Sequence, residues 1–277
     1  MSWAVIVRKE VDDAIRSRML WAIVALIAAM VSLTMVVTLL IPGQTASIRT
    51  ALSGAAEFGG MLVPIMALVA AYLSIAGERE SGSLKILLGL PPSRGEVLLG
   101  KFVGRSVVVV VGVAVGFGLA GVVGFAVFQA LPIVPFLGMI ALTAALGVVF
   151  VGIAVGISAA TATRSRAMTY AIAVYLLLTL LWDLLPQMAM LVAYGAVPTG
   201  ASPGWVVFLG SVNPSGAYSM LVTWLLGGGG QVTGVAARFG GQVPFYLSWW
   251  FLLGLLALWL VVPLLLGYRQ FQRADLG

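Results

Sequence analysis

The sequence predicts an all-α membrane protein with six transmembrane helices, an N-terminal amphipathic helix, a short cytoplasmic helix, and short outer-face helices before the last span. Composition is the first observation: 61% of the 277 residues are hydrophobic, 9% are charged, and the mean hydropathy is +1.12. Soluble domains carry about 25% charged residues. The second observation is a series of apolar segments, most of them near the roughly 20 residues needed to cross about 30 Å of hydrocarbon. The third is a one-sided distribution of positive charge.

Residues 1–18 are predicted to form an amphipathic helix at the membrane interface. Its apolar residues recur at helical spacing, and its charged residues occupy the other faces. The apolar set is Trp3, Ile6, Val7, Val11, Ala14 and Ile15, and the charged set is Arg8, Lys9, Asp12, Asp13, Arg16 and Arg18. An ordinary cytoplasmic helix leading into the first span is the alternative.

The apolar segments cover residues 19–41, 59–76, 102–128, 134–160, 167–185 and 244–267. The third contains Gly112 and Gly116, and the fourth contains Gly152 and Gly156. Small residues four apart let two helices approach closely within a membrane. We expect these pairs to serve packing within the chain, and a subunit interface is the alternative.

Six crossings place both termini on one side of the membrane. All 15 Lys and Arg residues except Arg49 and Arg238 fall on that side. Because positive residues are enriched in cytoplasmic loops, we expect a multi-pass cell-membrane protein with both termini in the cytoplasm. This arrangement accounts for the formal charge of +6 without a nucleic-acid partner.

Residues 77–101, GERESGSLKILLGLPPSRGEVLLGK, place a polar stretch between the second and third spans. Glu78 and Glu80 suit the opening turn of a short helix, where acids interact favourably with the helix dipole. Further along this helix, Leu84, Leu87 and Leu88 share one face. The sequence therefore predicts a cytoplasmic helix with a small apolar surface.

Pro91 and Pro92 end that helix, since proline lacks an N–H and disfavours helical conformation in the residue before it. Ser93 followed by Glu96 predicts a capping box that starts the next helix. No proline follows until Pro132, so we expect this helix to run unbroken from Ser93 through Lys101 into the third span.

Residues 186–243 are expected on the outside. The stretches 205–212 and 218–226 are apolar but too short to cross a bilayer, and Asn213-Pro214 and the glycines at 227–230 separate them as turn signals. They predict interfacial or re-entrant helices. A loop lying on the lipid surface is the alternative.

The residue types exclude several kinds of chemistry. The chain has no cysteine and no histidine, so we expect no disulfide, no catalytic or metal site built on these residues, and no cofactor. Residues 95–101 match the start of a phosphate-binding loop, but Phe102 replaces the required Ser or Thr and the stretch is helical. We therefore expect that the chain is not an ATPase.

Asp183 lies inside an apolar run near the end of the fifth span. An acid in such a position is a candidate functional residue, and we interpret it as part of a possible substrate path. Because Asp183 lies close to Pro186, a capping role at the interface is the alternative.

These features together resemble the permease subunits of ABC-2 type transporters, six-span exporters that work with a separate nucleotide-binding ATPase subunit. Residues 77–101 are similar to the family pattern E-R-E-x-G-[ST]-L-x-x-L-L-x-x-P-x-[ST]-R. RKEVDDAIRSR before the first span resembles the family's elbow helix, and VNPSGAY at 212–218 resembles its segment before the last span. The residues that match the pattern are Glu78, Arg79, Glu80, Gly82, Ser83, Leu84, Leu87, Leu88, Pro91, Ser93 and Arg94.

The resemblance implies a single transmembrane permease domain over residues 1–277, with 1–18 as the elbow helix, 77–101 as the coupling region and 186–243 as an extracytoplasmic segment. It implies two permease copies, identical or different, above two ATPase subunits, with a coupling helix over residues 78–89 seated in a groove of the ATPase. The family includes a copper-enzyme maturation branch and exporters of drugs, lipids and polysaccharides, and no residue pattern here selects among them.

The function implied is a non-catalytic membrane subunit of an ATP-driven exporter. An ion-coupled secondary transporter is the alternative, since it would explain the spans and Asp183, although it would not need the charged, proline-cornered hairpin. An intramembrane enzyme is disfavoured because the chain has no paired carboxylates within its apolar segments.

Overall fold

The computed structural model describes residues 3–40, 47–83, 93–195, 203–227 and 243–274. These residues form helices and contain no strand. The helices are α1 Trp3–Ile15, α2 Arg18–Val37, α3 Ile48–Ala71, α4 Ala76–Glu80, α5 Arg94–Phe128, α6 Ile133–Ala160, α7 Arg164–Tyr175, a π-helical segment Leu176–Leu181, α8 Leu184–Tyr194, α9 Gly204–Ser211, α10 Pro214–Leu226, a 3-10 turn Phe245–Leu247, and α11 Trp249–Arg273.

Five of the described helical stretches are long and apolar enough to cross a membrane, namely Leu20–Val37, Ile48–Glu80, Arg94–Phe128, Ile133–Ala160 and Trp249–Arg273. A sixth crossing is reached if α7, the π-helical segment and α8 count as one span bent by 56°. The predicted all-α membrane architecture is confirmed.

Helix α6 forms the centre of the bundle and packs against α3, α5, α10 and α11. It is apolar on every side, as expected of a helix surrounded by other helices. Its glycines allow α11 to pack closely against it, since a Cβ built on Gly156 would lie 2.4 Å from the Pro263 carbonyl oxygen. Gly112 and Gly116 similarly face Val24 and Ile27 of α2. The glycine pairs therefore serve packing within the chain, as predicted.

Both terminal helices contact the beginning of α5, which defines a terminus end of the bundle. Helix α1 packs along α5 with Ile6, Glu10 and Ala14 buried. The end of α11 is bonded to the Arg94 side chain. The predicted N-terminal helix is present, and its location at the membrane interface stays a prediction.

The second span begins earlier than the sequence predicts. Helix α3 starts at Ile48 instead of residue 59, because the Ser47 side chain accepts a hydrogen bond from the Thr50 N–H and caps the helix. This earlier start brings Glu57, which precedes the predicted span, into the helix.

The fifth span is not the single crossing over residues 167–185 that was predicted. Its α-helix changes to a π-helix at Leu176, and a bend of 56° separates this part from α8. Pro186 lies in the first turn of α8, where a missing N–H costs no helical hydrogen bond. Residues 186–194 thus belong to the bent helical element that begins with α7.

The short helices expected before the last span are present as α9 and α10. Helix α10 packs between α3, α6 and α11 and buries Ala217 and Leu221. These contacts exclude the alternative of a loop lying on the lipid surface for this stretch.

Candidate functional site

The coupling region is joined to the bundle by a cluster of charges around the buried Lys101 and Glu10 at the terminus end. The Lys101 Nζ lies 2.8 Å from Glu10 Oε1 of α1 and 2.8 Å from Glu78 Oε1 of α4. Arg105 Nη2 lies 2.6 Å from Glu10 Oε2, and Lys9 Nζ lies 3.9 Å from Glu78 Oε1. The Lys101 side chain is only 2% exposed. We call these five residues the charged junction.

The junction forms because α1 and α5 approach closely. Cβ atoms built on Gly100 and Gly104 would lie 2.9 Å from the Ile6 Cβ and 2.6 Å from the Glu10 Cβ. Burial alone would raise the pKa of Glu10, but Lys101 and Arg105 outweigh this effect and hold the pKa below its usual value of 4.5. Glu10 is therefore an ionised partner for Lys101 at neutral pH.

Helix α4 is fixed to the bundle at both ends. The Ser158 hydroxyl of α6 accepts hydrogen bonds from the Ile75 and Ala76 N–H groups, each 3.0 Å long. The Glu80 carboxylate accepts a hydrogen bond from the Arg164 N–H at the start of α7. Helices α6 and α7 thus hold α4, in addition to α5, whose Lys101 binds Glu78.

The helix expected over residues 78–89 does not pass through Gly82. Helix α4 ends at Glu80, and Gly82 has a φ of +77°, a left-handed conformation that glycine adopts without steric cost and that ends helices. The Ser81 and Ser83 hydroxyls, 2.9 Å apart, hold the turn. The structure corrects the prediction of one continuous helix from Glu78.

The next helix begins where the sequence predicts. The Ser93 hydroxyl accepts from the Glu96 N–H, and the Glu96 carboxylate accepts from the Ser93 N–H, which completes the capping box. Arg94 donates to the carbonyls of Phe271, Gln272 and Ala274 at the end of α11. Such a cation satisfies carbonyls that the last turn of a helix leaves free.

The remaining predicted coupling residues are placed as follows. Arg79 lines a cavity of about 420 Å³ at the terminus end, together with Arg166, Tyr170 and Arg273. Leu84, Leu87, Leu88 and Pro91 lie outside the described residues. The apolar face expected on the coupling helix therefore stays a prediction.

Four members of the charged junction escaped the sequence interpretation. Glu10 was not assigned a partner, and Lys9, Lys101 and Arg105 were counted only as positive charges on the cytoplasmic side. The signal that points to them is the spacing of Gly100 and Gly104, the same small-residue pattern that was noticed deeper in the spans.

A second feature is a polar cleft toward the other end of the bundle, with a volume of about 330 Å³. Helices α3 and α10 form its walls, and Thr179 of the π-helical segment completes it. Its polar lining residues are Ser53, Glu57, Thr179, Ser215, Tyr218, Ser219 and Thr223. Glu57 was not identified from the sequence, because the predicted second span begins only at residue 59.

Tyr218 holds the two walls of the cleft together. Its hydroxyl lies 3.0 Å from the Ala56 carbonyl oxygen of α3 and 2.9 Å from the Thr143 hydroxyl of α6. The ring packs against Gly60, where a Cβ would approach to 2.9 Å. This contact fixes α10 against α3 and shapes the cleft.

Asn213 positions α10 by two hydrogen bonds. Its Oδ1 accepts from the Gly216 N–H over 2.7 Å and caps the helix, while its Nδ2 donates to the Leu178 carbonyl over 2.6 Å. The second bond satisfies a carbonyl within the π-helical segment, where regular helical pairing changes. The Asn-Pro segment therefore links α10 to the irregular part of the fifth span.

Asp183 is exposed and lies at the break between the π-helical segment and α8. It lines a cavity of about 300 Å³ that shares Thr179, Ser215, Ser219 and Thr223 with the polar cleft. The structure thus places Asp183 and Glu57 in adjoining cavities.

Comparisons with known proteins cover almost the whole chain. The family described as "ABC-2 family transporter protein" matches residues 4–276. A protein of Stutzerimonas stutzeri named "Probable ABC transporter permease protein NosY" is 31% identical over 279 residues, with 97% of each chain covered. A Pseudomonas aeruginosa protein of the same name is 29% identical over 275 residues, again with 97% of each chain covered.

Proposed function

Since this chain belongs to the ABC-2 transporter family, we propose that it is the membrane-spanning subunit of an ATP-driven exporter, coupled to a separate ATPase subunit through residues 77–101. Two permease subunits, identical or different, would assemble above two ATPase subunits. The chain itself would carry no catalytic residue, and hydrolysis would belong to the partner.

The observation that carries this proposal is the position of the Glu78 carboxylate. Glu78 belongs to the motif of the coupling region and is bonded to Lys101 of α5. Helix α5 runs without interruption from Arg94 to Phe128. A force applied to the coupling region would therefore reach a full-length membrane helix through an ion pair, and reach α1 through Glu10.

The substrate path in this proposal includes the polar cleft and the adjoining cavity at Asp183. Hydroxyl and carboxylate groups are costly within membrane spans, so a cluster of them is expected to serve either packing or transport. Tyr218 and Asn213 have hydrogen-bond partners that explain their burial. Glu57 and Asp183 have no ion pair among the described residues, which favours a role in the path.

Charge substitution on the leucines tests the coupling. Replacing Leu87 and Leu88 by Asp should abolish co-purification with the ATPase subunit. Burying one leucine side chain contributes about 1.5 to 3 kcal/mol to the binding free energy, and ion pairs at the surface would offset little of the loss of two leucines. Membrane insertion should be unchanged.

The matched control adds the same two charges elsewhere at the terminus end. Gln270 and Gln272 are exposed on α11, and their replacement by Asp should leave the ATPase bound. If the complex survives the leucine substitutions, the ATPase does not dock on this face.

The ion-coupled alternative has one structural observation in its favour. The break beside Asp183 resembles the interrupted helices that bind ions in secondary transporters. Transport into sealed vesicles separates the two functions: an exporter requires ATP and the ATPase subunit, whereas a secondary transporter works on an ion gradient alone.

A further inference from the structure

The polar cleft and the adjoining cavity are each lined by one acidic residue. Glu57 lines one and Asp183 lines the other, and among the described residues that line them there is no lysine or arginine. Both acids lie on elements of the membrane-spanning bundle, where an ionisable group is costly. Walls of low dielectric strengthen the field of such charges.

Three hydroxyl groups of the cleft lie against backbone carbonyls and can present acceptor oxygens to the cleft. The Ser53 hydroxyl donates to the Arg49 carbonyl, the Thr223 hydroxyl donates to the Ser219 carbonyl, and the Tyr218 hydroxyl lies 3.0 Å from the Ala56 carbonyl. A hydroxyl has one hydrogen and two lone pairs, so groups whose hydrogen is bound to a carbonyl can still accept. The lining therefore favours solutes that donate hydrogen bonds or carry positive charge.

Two further hydroxyls lack a partner. The Thr179 Oγ1 and Ser215 Oγ atoms are buried and make no hydrogen bond to the described residues. Both residues line the cleft and the adjoining cavity. An unpaired buried hydroxyl is costly, so a polar partner for these two groups would stabilise this wall of the cleft.

We propose that the polar cleft is a selective binding site for small cationic solutes, with Glu57 as the charge that attracts them and Asp183 as a second charge at the adjoining cavity. The inference rests on the proposed function, in which this cleft belongs to the substrate path, and it assigns the transported molecule a positive charge. A volume of about 330 Å³ suits a small organic cation.

A charged-reagent experiment tests this selectivity directly. The chain has no cysteine, so Ser219→Cys introduces a single thiol at an exposed residue that lines both cavities. The probes are two methanethiosulfonates of similar size, one carrying a trimethylammonium group and one a sulfonate group. Their reaction rates are measured on the full chain in lipid nanodiscs and on a free thiol.

In the Ser219→Cys protein with no other substitution, the rate of the cationic reagent divided by that of the anionic reagent should exceed the same ratio for the free thiol by about tenfold or more. Such an excess is expected for a cleft that concentrates cations. Glu57→Gln should lower the ratio several-fold, and Asp183→Asn should lower it less. Asp13→Asn, which removes an exposed acid of α1 at the terminus end, should leave it unchanged.

Three results would overturn the proposal: a ratio equal to that of the free thiol, a ratio independent of Glu57, or no reaction of either probe while an exposed Ser165→Cys control reacts. The measurement involves no ATPase subunit. Failure of the cleft proposal would therefore be distinct from failure of the coupling proposal, which co-purification decides.

Discussion

At the scale of single residues, Lys101 holds a charge at a place from which water is almost excluded. Two carboxylates from distant parts of the sequence, Glu10 and Glu78, each lie 2.8 Å from its ammonium group. A buried ion pair adds little stability over an apolar replacement of all its members, whereas removal of one member leaves the others uncompensated. Lys101 of α5 therefore joins this helix to α1 and α4.

This asymmetry gives a prediction for Lys101→Met, which preserves most of the side-chain volume and removes the charge. Breaking a fully buried pair costs about 3 to 5 kcal/mol. The loss here should lie toward the lower part of that range, because Glu78 is 21% exposed and Arg105 still faces Glu10. The midpoint of thermal unfolding in detergent, followed by tryptophan fluorescence, should fall clearly.

Lys9→Met is the matched control. Lys9 is 64% exposed and lies 3.9 Å from the same Glu78 oxygen, so its loss should cost at most about 1 kcal/mol. Equal midpoints for the two variants would show that the charged junction does not hold these helices together.

At the scale of elements, local signals were sufficient where a helix is defined by its own sequence. The capping box at Ser93 and Glu96 and the absence of proline before Pro132 predicted the start and continuity of α5. Composition and length predicted the other long spans in the same way. The small-residue spacing predicted close packing, but not which helix would be the partner.

Local signals failed where tertiary contacts decide the conformation. The π-helical segment is bonded to Asn213, whose side chain donates to the Leu178 carbonyl from 35 positions along the chain. Glu57 was missed because capping by Ser47 extends α3 into a stretch that is less apolar than the span itself. The charged junction needs three separate helices in register, which no single stretch of sequence reveals.

The continuity of α5 gives a prediction for the corner that precedes it. Pro91 and Pro92 fix two φ angles before Ser93, and glycine at both positions would add backbone freedom without changing the leucines. We expect uncoupling in the Pro91→Gly, Pro92→Gly variant: the assembled complex should still hydrolyse ATP, while transport should fall. Both activities are measured in the same proteoliposomes.

If hydrolysis and transport both remain at the level of the unchanged protein, the corner does not transmit the signal. The junction offers another route, from Glu78 through Lys101 to Glu10 and α1. Adding Glu10→Gln to the Pro91→Gly, Pro92→Gly variant would then be expected to uncouple ATP hydrolysis from transport.

At the scale of the whole molecule, one stretch joins the two candidate sites. Residues Ile48–Glu80 form a nearly continuous span of 33 residues, which corresponds to about 50 Å of helix. Ser53 and Glu57 line the polar cleft near one end, and Glu78 and Glu80 hold the junction and α7 at the other. A displacement of the coupling region would thus reach the cleft along α3 as well as α5.

This transmission requires the junction to face the ATPase, and hence the cytoplasm, which the distribution of positive residues predicts. Arg49 is one of the two exceptions to that distribution and lies beside exposed Thr50 at the start of α3. Ser165 is exposed at the opposite, terminus end. In the cysteine-free chain, a membrane-impermeant thiol reagent should label Thr50→Cys in intact cells and Ser165→Cys only after lysis. Labelling of Ser165→Cys in intact cells, with Thr50→Cys protected until lysis, would show that the orientation is the reverse of the predicted one. The coupling region would then lie outside the cell, where no ATPase can reach it.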